Sequence, residues 1–443
     1  MTVLLCFACG PAAPGADSEG APSETGTNAT SDAAGTAAST GVDPSGFDPS
    51  NATIPAECRS LDLPCPGWCA HDLSCPLGHV CVDESCTAAP TLPTCDEIAL
   101  AAVDWGLAHA PGALALVDLD SDGDLDLAVA EPAAAQLEIF KNDGAGAFTP
   151  GGAVALGPPF ELPALATGNV DGDGNVDLVL ARADAGDVMI LLADQGTWVA
   201  GPTLAGPAAA QLFVADVDGF DGRDVLAVSL GDPALTLWRG DGLGGFAERQ
   251  DMPVSLTPLA SLVDLTLDGL PDVIGPNPFG VAIYRARPSS WFDDAGSFGF
   301  GGGELVYHQA LAAQLDATPE LELVALIRDP SGSVLHVRQQ SADSPLGWSP
   351  LDHGLRPGAT PTSARVADIT GDGHPDLVAV TTSDALMLLP GDGAGGFVCE
   401  ALVPMPARVP HDLLAVGNVD GDARPDVVAA SPTSPALWVF QGL

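Results

Sequence analysis

The sequence predicts an all-β fold, a seven-bladed β-propeller over residues 95–443, preceded by a disordered linker and a small cysteine-rich module. Three observations predict it. A nine-residue acidic motif starts at Asp118, Asn169, Asp216, Asp264, Gln314, Asp368 and Asn418, so successive starts lie 51, 47, 48, 50, 54 and 50 residues apart. Each copy runs into an apolar β-type segment such as Leu377-Val378-Ala379-Val380. Between these segments Gly, Pro and Asp turns recur with no sustained helical period. A repeat of about 50 residues suits one four-stranded propeller blade.

Within a unit the order is constant. In the first, Ala113–Leu119 is a strand, the acidic loop Asp118–Asp126 overlaps its end, and Leu125–Ala130 is the second strand. Gln136–Lys141 is the third, and Asn142-Asp143-Gly144 turns the chain into a fourth that starts near Phe148. Third-strand segments recur at 234–238, 385–389 and 436–440. The last of these leaves the seventh unit without a fourth strand. Glu97–Trp105 is a spare β-type segment ahead of the first unit, so it is expected to complete the last blade and remove an open sheet edge. That closure brings Cys95 near Cys399, in the fourth strand of the sixth unit, and a disulfide between them is expected.

Ahead of the repeats the composition changes. Residues 10–55 are mostly Ala, Gly, Ser, Thr, Pro and Asp with one aromatic, Phe47. They bury too little apolar surface to offset ordering entropy and read as a flexible tether. Residues 56–94 hold Cys58, Cys65, Cys69, Cys75, Cys81 and Cys86. Such density points to disulfides and an oxidising compartment, with the pairing open among these six. Residues 1–9 form a signal-like segment whose end, Phe7-Ala8-Cys9-Gly10, resembles the tail of a bacterial lipoprotein signal peptide with Cys9 as the lipidated residue. No basic residue precedes the apolar run, and Cys6 stands where that pattern prefers Leu. Export to the cell surface or outer membrane, or secretion, is the expected location, with membrane contact only through an anchor at Cys9.

The net charge is −45, from 14 Lys and Arg against 59 Asp and Glu. That balance argues against nucleic acid and against anionic membrane surfaces. The acids concentrate in the repeated loops, which makes cations the first ligand to consider. The first loop offers Asp118, Asp120, Asp122, Asp124 and Asp126. Carboxylates at positions 1, 3, 5 and 9 converge if the loop curls, Gly123 at position 6 permits the bend, and position 7 supplies its backbone carbonyl. Hard oxygen donors in this number select calcium. No Glu at position 12 and no flanking helices support an EF-hand.

These units resemble the FG-GAP or VCBS-type repeats of the integrin α-subunit propeller and its bacterial relatives, over about 350 residues. The resemblance implies one calcium ion per intact loop, between two strands of a blade. Carried over, the second loop offers Asn169, Asp171, Asp173, Asn175 and Asp177. The fourth offers Asp264, Thr266, Asp268 and Asp272. The sixth offers Asp368, Thr370, Asp372, His374 (through its backbone) and Asp376. The seventh offers Asn418, Asp420, Asp422 and Asp426, with Ala423 in place of the bend glycine. In the third, Asp216, Asp218 and Asp224 keep their places but Phe220 occupies position 5, which leaves its ion open. In the fifth, Gln314, Asp316, Thr318 and Glu322 retain two carboxylates beside Pro319, and no ion is expected. The count is about five Ca2+ ions.

Several other signals are weighed and set aside. Asp329-Pro330-Ser331-Gly332-Ser333 matches a D-x-S-x-S metal motif but lies between β-runs. Arg239-Gly240-Asp241 sits where other units carry hairpin turns, and the glycine-rich stretch 299–303 precedes no helix. The histidines are scattered and G-x-S-x-G is absent, so no catalytic constellation is read and the chain is not expected to be an enzyme. The expected role is a binding or adhesion platform for a protein or glycan. A polysaccharide-active enzyme and a structural part of an envelope assembly are the alternatives.

Overall fold

The computed structural model describes residues 79–442 apart from 83–84, 89–90, 96–97, 99, 158–163, 183, 195, 221, 232, 279, 289–290, 299–305, 330–331, 342–343, 356–359, 406–412 and 423. The signal-like segment, the tether, Cys58 to Cys75 and Ala423 lie outside the described residues. Of the cysteine-rich piece, a two-stranded hairpin is described, His79–Val82 against Ser85–Ala88, with Cys81 opposite Cys86. Among the described residues the one helical element is the 3-10 turn Pro132–Ala134. No described helix is long and apolar enough to cross a membrane.

The protein is an all-β propeller. Its described strands, the hairpin aside, form seven four-stranded antiparallel sheets. The first holds Ala113–Val117, Asp126–Glu131, Gln136–Lys141 and Thr149–Ala155 in sequence order. The next five repeat that order, beginning at Leu165, Ala209, Ser261, Val306 and Pro361. The seventh takes Leu413–Gly417, Asp426–Ala430 and Ala436–Gln441 from the C-terminal end and Ala101–Gly106 from the N-terminal side. Ala101 pairs with Gln441 and Gly106 with Ala436. The spare segment of the sequence is therefore the fourth strand of this sheet, begun four residues later than Glu97.

The two-residue side-chain period of a strand, with both faces covered, explains why the second strands are apolar between their polar ends. In Asp126–Glu131 every residue is buried. Leu127 and Val129 join a cluster with Val428 and Val439 of the seventh sheet, while Ala128 and Ala130 join one with Leu178 and Leu180 of the second. Each face of the sheet thus packs on a different neighbour. Seven such clusters bridge the successive sheet pairs, including the seventh to the first, so the sheets close in a ring. Trp105, on the borrowed strand, meets Phe140 and Phe148 of the first sheet edge-on, with centroids 6.0 and 5.6 Å apart. The Cys95–Cys399 disulfide is present, and Cys95 N–H donates to the Glu400 carbonyl beside it at 3.1 Å.

Successive first strands neighbour one another around the ring axis in six of the seven sheet pairs, and the third and fourth sheets are linked at Ala260, just ahead of Ser261–Val263. Two amide side chains join them. Gln211 Nε2 donates to the Ala260 carbonyl and its Oε1 accepts the Ala260 N–H, at 2.8 and 2.9 Å. Gln309 makes the same two bonds to Ala364, at 3.2 and 2.6 Å. Each glutamine acts as a short piece of backbone between strands that do not otherwise share a ladder.

Candidate functional site

The acidic loops connect first to second strands, and antiparallel order puts the third-to-fourth turns at the same end of the ring. The two sets interlock between neighbouring sheets. Asn142 Nδ2 donates to the Val419 carbonyl at 2.7 Å, and Gly244 N–H donates to the Val170 carbonyl at 3.2 Å. Gly172 (φ 76°) and Gly421 (φ 75°) sit with the carbonyl oxygens of Gly242 and Gly144 at 2.7 and 2.8 Å from where a Cβ would be. Any side chain there would strike backbone, so the fit between loop and neighbouring turn requires glycine at position 4 in these two sheets.

Each loop curls by accepting its own amides. Asp118 takes the N–H groups of Asp122 and Gly123, and Asp264 and Asp368 do the same four and five residues on. Asn169 and Asn418 instead accept the position-4 N–H, from Gly172 and Gly421. Position 5 then caps position 7: Asp122 accepts from Asp124, Asp173 from Asn175, Asp268 from Leu270, Asp372 from His374 and Asp422 from Arg424. Positions 4 and 6 are left-handed, as in Ser121 (φ 62°) with Gly123 (φ 98°) and Leu267 (φ 56°) with Gly269 (φ 91°). Much of the acidic signature therefore builds turns.

Position 9 does more than the sequence reading gave it. Asp126, Asp177, Asp224, Asp272, Asp376 and Asp426 each open a second strand and are no more than 2% exposed. One oxygen of each accepts an amide from its own loop, at Leu119, Val170, Val217, Leu265, Thr370 and Val419 respectively. The other accepts an amide at the end of the third strand, at Asn142, Ala193, Gly240, Ala286, Gly391 and Gly442. The carboxylate is a bracket that fixes the loop to its sheet. In the fifth sheet Glu322 fills this place and accepts the Leu315 N–H at 2.6 Å. Burial pushes all seven carboxyls up against the downward pull of their amides, Asp224 to about 6. Truncating one bracket leaves two buried N–H groups unpaired, and each costs about 1–3 kcal/mol. Asp177→Ala is thus expected to lose about 3 kcal/mol of unfolding free energy in EDTA, measured by urea titration. A loss below about 0.5 kcal/mol, the range of ordinary surface substitutions, would show that the bracket does not hold the loop.

Among the described residues, two groups of three carboxylates converge with ligand oxygens within 4.8 Å of one another: Asp118, Asp120 and Asp126, and Asp216, Asp218 and Asp224. Asp122 and Asp124 are not in the first group. The acids of the second, fourth, sixth and seventh loops do not form such a triad. Asn175 turns its side-chain amide to Asp173 at 2.7 Å, and the His374 ring lies against the turn at Gly393. The donor chemistry of the first triad, three carboxylates on a curled loop, fits a hard divalent cation.

Sequence reasoning missed the basic partners of both triads. Lys141 Nζ reaches Asp120 Oδ2 at 2.8 Å and holds that carboxyl below its ordinary range. Arg239 Nε is paired with Asp218, which is 2% exposed, while Arg239 Nη1 reaches Glu248 at 2.9 Å and the guanidinium lies 5.5 Å from the Phe220 ring centroid. Both cations occupy the same place, the last residue of a third strand just before the amide that its bracket holds. The signal was legible: Lys141 and Arg239 align once the repeats are superposed. The third loop thus has a guanidinium on its most buried carboxylate and an aromatic ring at position 5, and it fits an ion less well than the first.

Residues 118–180, which include the first two loops, match the family model described as FG-GAP-like repeat. No curated protein matches the chain. Among solved structures, BBS1N in its complex with ARL6DN is similar at 11% identity and a TM-score of 0.50, over 77% of this chain and 96% of that one. An Agrocybe aegerita protein described as recognising non-reducing terminal N-acetylglucosamine aligns at 16% identity and a TM-score of 0.47, over 81% of this chain and 94% of that one. The Myceliophteria thermophila Cps50 (Swd1) β-propeller domain aligns at 10% identity and 0.49, over 76% and 99%.

Proposed function

We propose that this chain is an exported, calcium-stabilised seven-bladed propeller of the FG-GAP type that serves as a binding platform for a protein or glycan. The observation that carries the reading is the acidic end of the ring. There the Asp118, Asp120 and Asp126 oxygens come together on a loop already curled by its own amides. A divalent ion held there would fix the loop without further ordering. Asp118, Asp120 and Asp126 would hold it, and the ion would supply charge neutralisation to a rim of an acidic protein.

The same end presents apolar side chains to solvent. Phe220, Leu243, Leu267 and Val398 are each more than half exposed and all lie on acidic loops or third-to-fourth turns. Rigid turns carrying apolar groups beside polar ones are the composition of a recognition surface. The platform reading stands on this rim. A glycan array combined with affinity capture from native surface extract, each run in calcium and in EDTA, tests it. The expected result is a reproducible partner whose signal drops at least about tenfold in EDTA. Capture unaffected by EDTA would overturn the calcium-dependent platform.

A further inference from the structure

Two cavities of about 560 and 400 Å3 lie along the ring axis, walled by first strands of different sheets. Gln211, Phe213 and Leu262 line the first, Leu114 and Val416 the second. Arg365, on the first strand of the sixth sheet, lines both. Among the described residues it is the only Lys or Arg in either wall, in a protein whose acids outnumber its bases by 45. Among the described residues no carboxylate lies within 4 Å of its guanidinium, since each recorded ion pair involves other cations. Its recorded hydrogen bond runs from Nη1 to the Ala364 carbonyl, at 2.8 Å.

We propose that the axial channel is a binding site for a small monocarboxylate with an apolar body, seated on Arg365. A guanidinium offers a planar fork of N–H donors that matches a carboxylate with two parallel bonds. One of the Arg365 donors is used on its own strand, which fixes the side chain and leaves the rest of the fork to the channel. Solvent reaches the side chain, and the surrounding wall still displaces enough water to push its pKa down while it stays charged at neutral pH.

The rest of the wall decides the ligand class. The Gln211 and Gln309 amides are committed to Ala260 and Ala364, and Ser261 Oγ donates to the Ala310 carbonyl at 3.0 Å. Asp368, the acid of the larger cavity, spends both oxygens on the Asp372 and Gly373 amides. Among the described residues of the wall no second Lys or Arg is there to neutralise a dianion, so a phosphate is disfavoured against a monoanion. Phe213 and Leu262 supply apolar surface, and 560 Å3 is within the range of small-molecule sites.

The inference rests on the platform reading only for its place on the ring, and the two fail separately. Partner capture is scored with and without EDTA; the channel is scored with and without Arg365. The test is calorimetric titration of the full chain with phenylacetate, with its neutral amide and inorganic phosphate as controls. Saturable phenylacetate binding near or below about 1 mM is expected, with phosphate and the amide at least about tenfold weaker. Arg365→Gln should lose at least about tenfold, and Arg365→Lys, which keeps the charge without the fork, should fall between. Unchanged melting of both variants checks folding. Equal affinity in wild type and Arg365→Gln, no saturable binding to wild type, or phosphate matching phenylacetate would each overturn the proposal.

Discussion

Transfer from millimolar calcium to EDTA is expected to lower the unfolding free energy by about 7 kcal/mol. Extracellular-type sites bind calcium at roughly 10⁻⁴ to 10⁻³ M, and about a tenfold excess over Kd stabilises by about 1.4 kcal/mol per site. Five ions, the number expected from the sequence, give that sum provided the acids of the second, fourth, sixth and seventh loops draw together on the ion; the first loop alone would give about 1.4 kcal/mol, and the full sum is comparable to the whole net stability of many domains. The effect should be specific. Magnesium prefers tighter octahedral shells and keeps its water, so it should restore only part of the loss. Scanning calorimetry in calcium, magnesium and EDTA is the measurement. A melting temperature that does not move in EDTA would mean that the loops hold their shape through amide bonds alone, as the brackets at Asp126 and its counterparts already do in part.

The second large effect is expected from the disulfide. Cys95 and Cys399 are 304 residues apart in sequence, and closing so long a loop restricts the unfolded chain strongly. The chain-entropy estimate for a loop of about 300 residues is about 5.7 kcal/mol, above the typical 2–4 kcal/mol for disulfides. The double substitution Cys95→Ser with Cys399→Ser avoids a stray thiol and should lose about 4–6 kcal/mol, from the top of the typical range to the chain-entropy value. The loss should also be local in the native state. Amides of Ala101–Gly106, just beyond Cys95, should exchange faster with solvent, while those of Asp126–Glu131 should not. Equal exchange at both places, with an unchanged urea midpoint, would show that the edge-on contacts of Trp105 hold the strand unaided.

How much of this was legible can be judged at particular residues. The repeat period, the strand order and the role of the segment before the first unit were readable because a second strand buried on both faces must be apolar throughout, as Leu127 to Ala130 is. The loops were readable as acidic turns because Asp and Gly at fixed offsets have few other uses. Their inner economy was not. That Asp177 would spend both oxygens on Val170 and Ala193 depends on a third strand sixteen residues away, and spacing alone does not reveal which carboxylate faces inward. Arg239 was read only as part of a hairpin tripeptide, because its pairing with Asp218 crosses from one strand to another loop. Arg365 gave no signal at all. An isolated arginine in a β-run reads as a solvated side chain until the ring places it on the axis.

The borrowed strand also imposes a timetable on biosynthesis. Ala101–Gly106 leaves the ribosome about 330 residues before its partner Ala436–Gln441, a wait of roughly 15–65 s at usual elongation speeds. Through that interval the earliest β-segment of the propeller has nothing to pair with, and only the last segment to emerge can shut the circle. Until Ala436–Gln441 emerges, the backbone donors and acceptors along that edge of Ala101–Gly106 must be satisfied by water or by a transient partner.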